Sequence, residues 1–286
     1  MFSKCYLEIT NACNLHCSFC PGTRRQTRFL TEAEFRLLAS RLRPHCRFLY
    51  FHVMGEPLLH PGLSRFLEIA GELGFRVVLT TNGTLLSKRR KELLAAPSLH
   101  KVNVSLHAPE ANGSTVELDA YLKGCADFVR SASRQGTVCC LRLWNLDGEG
   151  IVGENAKNGV ILDTLHAFFP SPWTPNSRGM QLGEKLFLEW DKKFQWPDAA
   201  MQKTRKTGFC RGLRDQVAVL CDGTVVPCCL DHEGEIALGN LFTSELSEIL
   251  ESPRARALYQ GFSNRIIVEP LCRTCGYAMR FDGKKG

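Results

Sequence analysis

The 286-residue chain is 44% hydrophobic, long enough to bury one sizeable α/β core with a small appendage. No run approaches the roughly 18 apolar residues of a spanning helix, and the opening MFSKCYLEIT lacks a secretory apolar stretch. No transmembrane helix is therefore expected, and the cytoplasm is the expected compartment. A net charge of +7 is too small to argue for a nucleic-acid partner, and the basic runs SKRRK (87–91) and KTRK (203–206) read as solvated helix ends or loops.

In chain order, CYLEIT (5–10), FLYFHVM (48–54), FRVVLTT (75–81), KVNVSLH (101–107) and TVCCLRLW (137–144) are rich in Val, Leu and aromatic residues and predict strands. Between them, residues 31–42, 62–74, 87–96 and 118–135 repeat apolar residues every three or four positions, as helices do. Thr31 followed by Glu34 predicts a capping box at the first helix. Repeated strand–helix–strand order predicts an α/β fold with a parallel sheet, open or rolled into a barrel. Beyond Trp144, residues 145–159 and 170–179 read as loops, 158–169 as a helix and 185–190 as a sixth strand. From Cys210 the character changes. DQVAVLCDGTVVPCC (215–229) predicts a hairpin turning on Asp222-Gly223, followed by a helix over 243–260 with a break before Pro253. The chain divides on this reading into residues 1–207 and a small cysteine-rich unit, 208–286.

Fourteen cysteines without a secretory signal point to metal or redox chemistry rather than disulfides. Cys13, Cys17 and Cys20 lie in CNLHCSFC at the end of the first strand. A structural zinc site needs four closing ligands, and His16 sits too close between two of the cysteines to complete one. An iron–sulfur cluster suits three thiolates better, because one iron then keeps an open coordination position.

The C-x3-C-x2-C pattern after a first strand, with Phe19 before the third cysteine, resembles the signature of the radical S-adenosylmethionine (SAM) superfamily. That resemblance implies a partial (βα)6 TIM-like barrel with its site at the carboxyl ends of the strands. It implies a 4Fe-4S cluster whose open iron chelates S-adenosyl-L-methionine. Reductive cleavage then gives a 5′-deoxyadenosyl radical that abstracts a substrate hydrogen atom, the electron coming from an external donor such as flavodoxin or ferredoxin. Position by position, Gly55, Glu56 and Pro57 are similar to the family's GEP motif, which meets the methionine amino group. Thr81 and Asn82 fall where the family lines the cofactor pocket. Ser105 resembles a polar residue near the methionine carboxylate or ribose, Arg142 a basic residue able to pair that carboxylate, and Phe19 is expected near the adenine. Each has an ordinary alternative: Glu56 ending a strand, Asn82-Gly83 a tight turn, Ser105 a satisfied strand hydroxyl.

Cys210, Cys228, Cys272 and Cys275 make a second set of four. Their spacing suits zinc and a second 4Fe-4S cluster equally. C-x12-G-x4-C, through Gly223, is similar to the start of the SPASM extension of radical SAM enzymes. The cut-down C-terminal pair resembles the shortened twitch form, a hairpin and helix unit holding one auxiliary cluster. Strand alternation sends Cys228 and Cys229 to opposite faces, which leaves Cys229 as a packing residue or as a thiol returning a hydrogen atom to a substrate radical. Cys221 is unassigned.

Three functions follow. The first is modification of a ribosomally made peptide, by crosslinking or epimerisation, with any peptide-recognition domain supplied separately. The second is oxidation or rearrangement of a small molecule with the auxiliary cluster taking the electron. The third, of another class, is a non-catalytic iron–sulfur or zinc protein.

Overall fold

The computed structural model describes every residue except 114, 115, 149–151, 154, 203, 204 and 282–286. Part of the loop expected at 145–159 and part of the basic run at 203–206 lie outside the described residues. Five parallel strands follow one another in sequence order across one sheet: β1 (Lys4–Leu7), β2 (Phe48–Tyr50), β3 (Arg76–Thr81), β4 (Leu99–Ser105) and β5 (Val138–Leu146). The crossovers between them run through α1 (Glu32–Leu42), α2 (Leu63–Glu72), α3 (Leu86–Leu94) and α4 (Leu118–Arg134). After α5 (Asn158–Phe168), the chain adds a hairpin of β6 (Thr174–Asn176) and β7 (Gly179–Gly183). It then lays β8 (Leu186–Lys192) parallel to β5. Six parallel strands, taken without interruption, form the wall of a partial (βα)6 barrel.

Helix and strand patterns explain the layers. Thr31 starts α1 with the expected capping box: its hydroxyl accepts from Glu34 N at 3.3 Å, and Glu34 accepts from Thr31 N at 2.8 Å. On α2, Leu63, Phe66, Leu67, Ile69 and Ala70 form the buried face. Alternate strand residues meet that helical layer, among them Cys5, Leu7, Leu49, Val77, Leu79, Val102, Val104, Cys139 and Leu141, all at most 1% exposed. The other face carries a smaller cluster of Tyr6, Val53, Ala218, Leu220 and Val226, with Tyr50 and Cys229 packed against it.

The predicted DG hairpin forms as β9 (Gln216–Val219) and β10 (Thr224–Val226), with β11 (Gly239–Asn240) beyond it. Its first strand pairs parallel with β1, from Lys4 opposite Gln216 to Leu7 opposite Val219, so the hairpin extends the barrel sheet to eleven strands. The helical stretch 243–260 splits as predicted before Pro253, into α6 (Leu246–Leu250) and α7 (Pro253–Ser263), and α8 (Pro270–Thr274) follows. One stretch departs from expectation. Residues 170–179, read as a loop, supply β6 and the start of β7. Its prolines hide a hairpin whose stability comes from pairing with β8. Gly179 lies so close to that strand that a Cβ would meet Leu188 O at 2.1 Å.

Candidate functional site

Thr10 Oγ1 donates to Arg28 O (2.8 Å), Asn11 Nδ2 to Gln26 O (3.0 Å), and Arg28 N to Asn11 Oδ1 (2.8 Å), closing the loop that follows β1 on itself. Cys13, Cys17 and Cys20 ride on this loop, Cys13 and Cys20 exposed and Cys17 half-buried. Asn112 clamps the middle cysteine: its Nδ2 donates to Cys17 Sγ at 3.0 Å, and its Oδ1 accepts from His16 N at 2.7 Å. Burial pushes Cys17 up to about 11; the Asn112 amide opposes this, and the charges of Cys20 and Cys13 add to it. Desolvation likewise raises Cys13 and Cys20.

The GEP stretch packs directly under that loop. Gly55 has φ +77, and a Cβ there would sit 2.5 Å from Thr10 O and 2.8 Å from Ala12 O, so only glycine fits. Glu56 N donates to Ala12 O at 2.7 Å. Its buried carboxylate accepts from Leu58 N (3.0 Å), Thr81 Oγ1 (2.8 Å) and Asn82 N (2.7 Å). Burial pushes Glu56 up to about 7 against these three bonds. Pro57 opens a short 3-10 turn, Pro57–Leu59. Asn82 Nδ2 donates to Asn14 Oδ1 at 2.9 Å, tying the end of β3 to the cysteine loop.

Phe19 lies 5.0 Å from the His107 ring, and burial pushes that histidine down to about 4. Ser105 stands opposite Arg142 in the β4–β5 register. The Arg142 guanidinium covers the Trp144 ring at 4.5 Å, and its Nε lies 4.0 Å from Glu189 Oε2. Arg142 Nε and His52 Nδ1 are buried without a hydrogen-bond partner among the described residues. Burial, and then the charges of Arg142 and Lys4, push His52 down to about 3, so its ring is neutral. Tyr6 lies 4.9 Å from Tyr50 and 5.4 Å from His52 between ring centres. Tyr6, Tyr50 and His52 form an aromatic group on the face of the sheet opposite the helices.

The second set also comes together. Cys210 precedes β9, Cys228 follows β10, and Cys272 and Cys275 bracket the end of α8. Burial raises Cys228, and the charges of Cys210, Cys229, Cys272 and Cys275 raise it further; burial, then Cys210 and Cys275, raise Cys272. Gly223 makes the turn between them with φ +84, where a Cβ would strike Phe242 Cδ2 at 2.4 Å. Cys221 lies apart, 3.7 Å from Arg25 Nη1. Cys229 lies against Tyr6, on the face of the sheet opposite the helices. Among the described residues, no three His, Cys, Asp or Glu side chains are arranged around a single metal ion.

The radical SAM superfamily model matches residues 7–149. The chain belongs to the radical SAM superfamily. A second model, the SPASM iron-sulfur cluster-binding domain, matches residues 210–276. The S-adenosyl-L-methionine-dependent 2-deoxy-scyllo-inosamine dehydrogenase of Niallia circulans is 22% identical over 96% of this chain and 93% of its own length. The structure of BtrN in complex with AdoMet and 2-DOIA is 21% identical, covering 96% of this chain and 93% of that one at a TM-score of 0.60. Streptococcus suis SuiB bound to precursor peptide SuiA is 14% identical, covering 96% of this chain and 70% of that one at a TM-score of 0.63.

As a radical SAM enzyme with a SPASM domain, the chain takes a 4Fe-4S cluster with SAM and auxiliary iron–sulfur chemistry. This sets aside the non-catalytic and zinc readings. Its thiols fit the groups implied. Neighbouring thiols that raise one another resist ionisation as bare groups, and a cluster that binds them as thiolates supplies the positive charge that offsets this. Sequence reasoning missed Asn112, Asn14, Tyr50 and His52. Asn112 sits 95 positions from the thiol it contacts, so no local motif could expose it. No described helix is long and apolar enough to cross a membrane.

Proposed function

We propose that this radical SAM enzyme dehydrogenates a small hydroxylated substrate held in the lumen between two clusters. In this reading the first cluster is carried by Cys13, Cys17 and Cys20, with Gly55 to Pro57, Thr81, Asn82 and Phe19 lining the cofactor side. The second is carried by Cys210, Cys228, Cys272 and Cys275. The observation that supports it best is the second set. Four protein thiols leave no coordination position for substrate, which suits an electron acceptor. When bound, SAM and the clusters supply an acceptor for one hydrogen atom and an acceptor for the electron that follows. The chain's own residues do the rest. Arg142 Nε and His52 Nδ1, both without partners, hold hydroxyl groups of the substrate. Glu189, beside Arg142, takes the proton that leaves the hydroxyl. The likeness to the inosamine dehydrogenase along 96% of this chain supports a small substrate. Fourteen unpaired cysteines suit the reducing cytoplasm.

A second reading, peptide crosslinking or epimerisation, rests on the likeness to SuiB with its precursor peptide. There Cys229, packed beside Tyr6, would return the hydrogen atom.

The test uses reduced, reconstituted enzyme with SAM and 2-deoxy-scyllo-inosamine deuterated at its carbinol carbons. Dehydrogenation moves one deuterium into 5′-deoxyadenosine and yields a ketone. Turnover on peptides alone, with no ketone formed from the inosamine, would favour the second reading. Cys272→Ala should lose about four irons per chain and substrate oxidation, while uncoupled SAM cleavage remains. Full iron content in that variant would sink the assignment of the second set.

A further inference from the structure

A buried ion pair joins the two cysteine-bearing segments. Glu8, the residue after β1, is 0% exposed. Its carboxylate takes Arg25 Nη2 on Oε1 at 2.7 Å and Arg25 Nη1 on Oε2 at 2.8 Å. The same two oxygens accept Met54 N and Cys221 N, each at 3.0 Å. Arg25 completes the junction by donating Nε to His232 O at 2.7 Å. Alongside it, Arg24 N donates to Glu233 Oε1 at 3.1 Å.

Four segments meet at this one carboxylate. They are the end of β1, the residue before Gly55, the tail of the loop that carries Cys20, and the turn between β9 and β10. Through His232 the arginine also holds the segment that leaves Cys228. A bidentate guanidinium–carboxylate pair fixes orientation as well as contact. An apolar pair of similar volume would hold the same segments together without dictating their angle or register.

We infer that Glu8 and Arg25 are positioning residues that set the placement of the first cysteine loop relative to the second cysteine set. The inference uses the cysteine assignments made above and is independent of the substrate. Neither residue touches a thiol of either set. The pair acts on the two loops as a rigid clasp, and the single fork transmits any shift of residues 22–28 to the turn at Cys221.

The test uses the full chain reconstituted with both clusters, in the variants Glu8→Gln, Arg25→Lys and the double variant Glu8→Leu/Arg25→Met. Glu8→Gln keeps the size of the side chain and loses the charge and one acceptor. Iron per chain reports assembly, and electron paramagnetic resonance of the reduced protein reports the magnetic interaction between the two clusters. The rate of 5′-deoxyadenosine formation with SAM alone is read in parallel. The single variants are expected to keep their iron, to alter the inter-cluster interaction, and to slow SAM cleavage roughly tenfold or more, as outer-shell losses do. Where a single variant fails to assemble, the double variant decides. Filled but unforked, it should assemble and show the same altered interaction. A double variant with wild-type iron, wild-type inter-cluster interaction and wild-type SAM cleavage would overturn the inference. Loss of iron in Cys272→Ala with normal behaviour of the clasp variants would leave the cysteine assignment standing and remove the clasp alone.

Discussion

Cys17 is tied to the loop after β4 by Asn112. Asn112 reaches its sulfur at 3.0 Å while fixing His16 N at 2.7 Å, so one side chain holds both the thiol and the backbone beside it. Asn112→Ala should leave the fold intact and weaken cluster retention roughly tenfold, read as iron released to a chelator over time. Glu56 acts through burial instead. Its pKa is raised from 4.5 to about 7, so the folded state binds its proton more tightly than the unfolded chain does. Its cost to stability is therefore absent below the unfolded value, grows as pH rises between the two, and is complete above about 7. Glu56→Gln should flatten that slope, on the order of 3 kcal/mol, in urea midpoints measured across the window.

At the scale of elements, most of the barrel was legible because its periods are clean. The period of two in 75–81 and 101–107, and the three- and four-residue spacings in 62–74 and 118–135, return as β3, β4, α2 and α4. The hairpin of β6 and β7 was not legible. Three prolines and two serines in 170–179 carry no alternation, and its order comes from pairing with β8. Glu8 and Arg25 were silent for a related reason. Glu8 reads as an ordinary strand residue until Cys221, 213 positions away, is folded onto it. Local devices differ in weight. Thr31→Ala removes a cap and should cost about 1 kcal/mol with no change in iron. Gly55→Ala forces a Cβ against Thr10 O at φ +77 and should cost at least about 2 kcal/mol and much of the first cluster, measured by melting and iron content together.

On the scale of the molecule, β1 is an interior strand of an eleven-stranded sheet, with β2 on one side and β9 on the other. Removing residues 208–286 would bare its edge and uncover residues that β9 and β10 pack against, including Tyr6 and Val53, 7% and 8% exposed. An unprotected parallel edge beside an apolar face invites association. The truncated chain is expected to elute as aggregates in size exclusion, where the full chain gives a discrete peak.

The double pairing of β1 also orders events during synthesis. Its partner β2 follows within a few tens of residues, whereas β9 emerges about 200 residues later, roughly 10–40 s at ordinary translation rates. For that interval the first cysteine loop exists without the turn at Cys221, and its ion pair has Met54 N but neither Cys221 N nor His232 O. Contacts so distant in sequence form late. A nascent chain therefore passes through a stage in which three thiols are exposed and unclasped, and iron delivered then would meet the first site before the second exists.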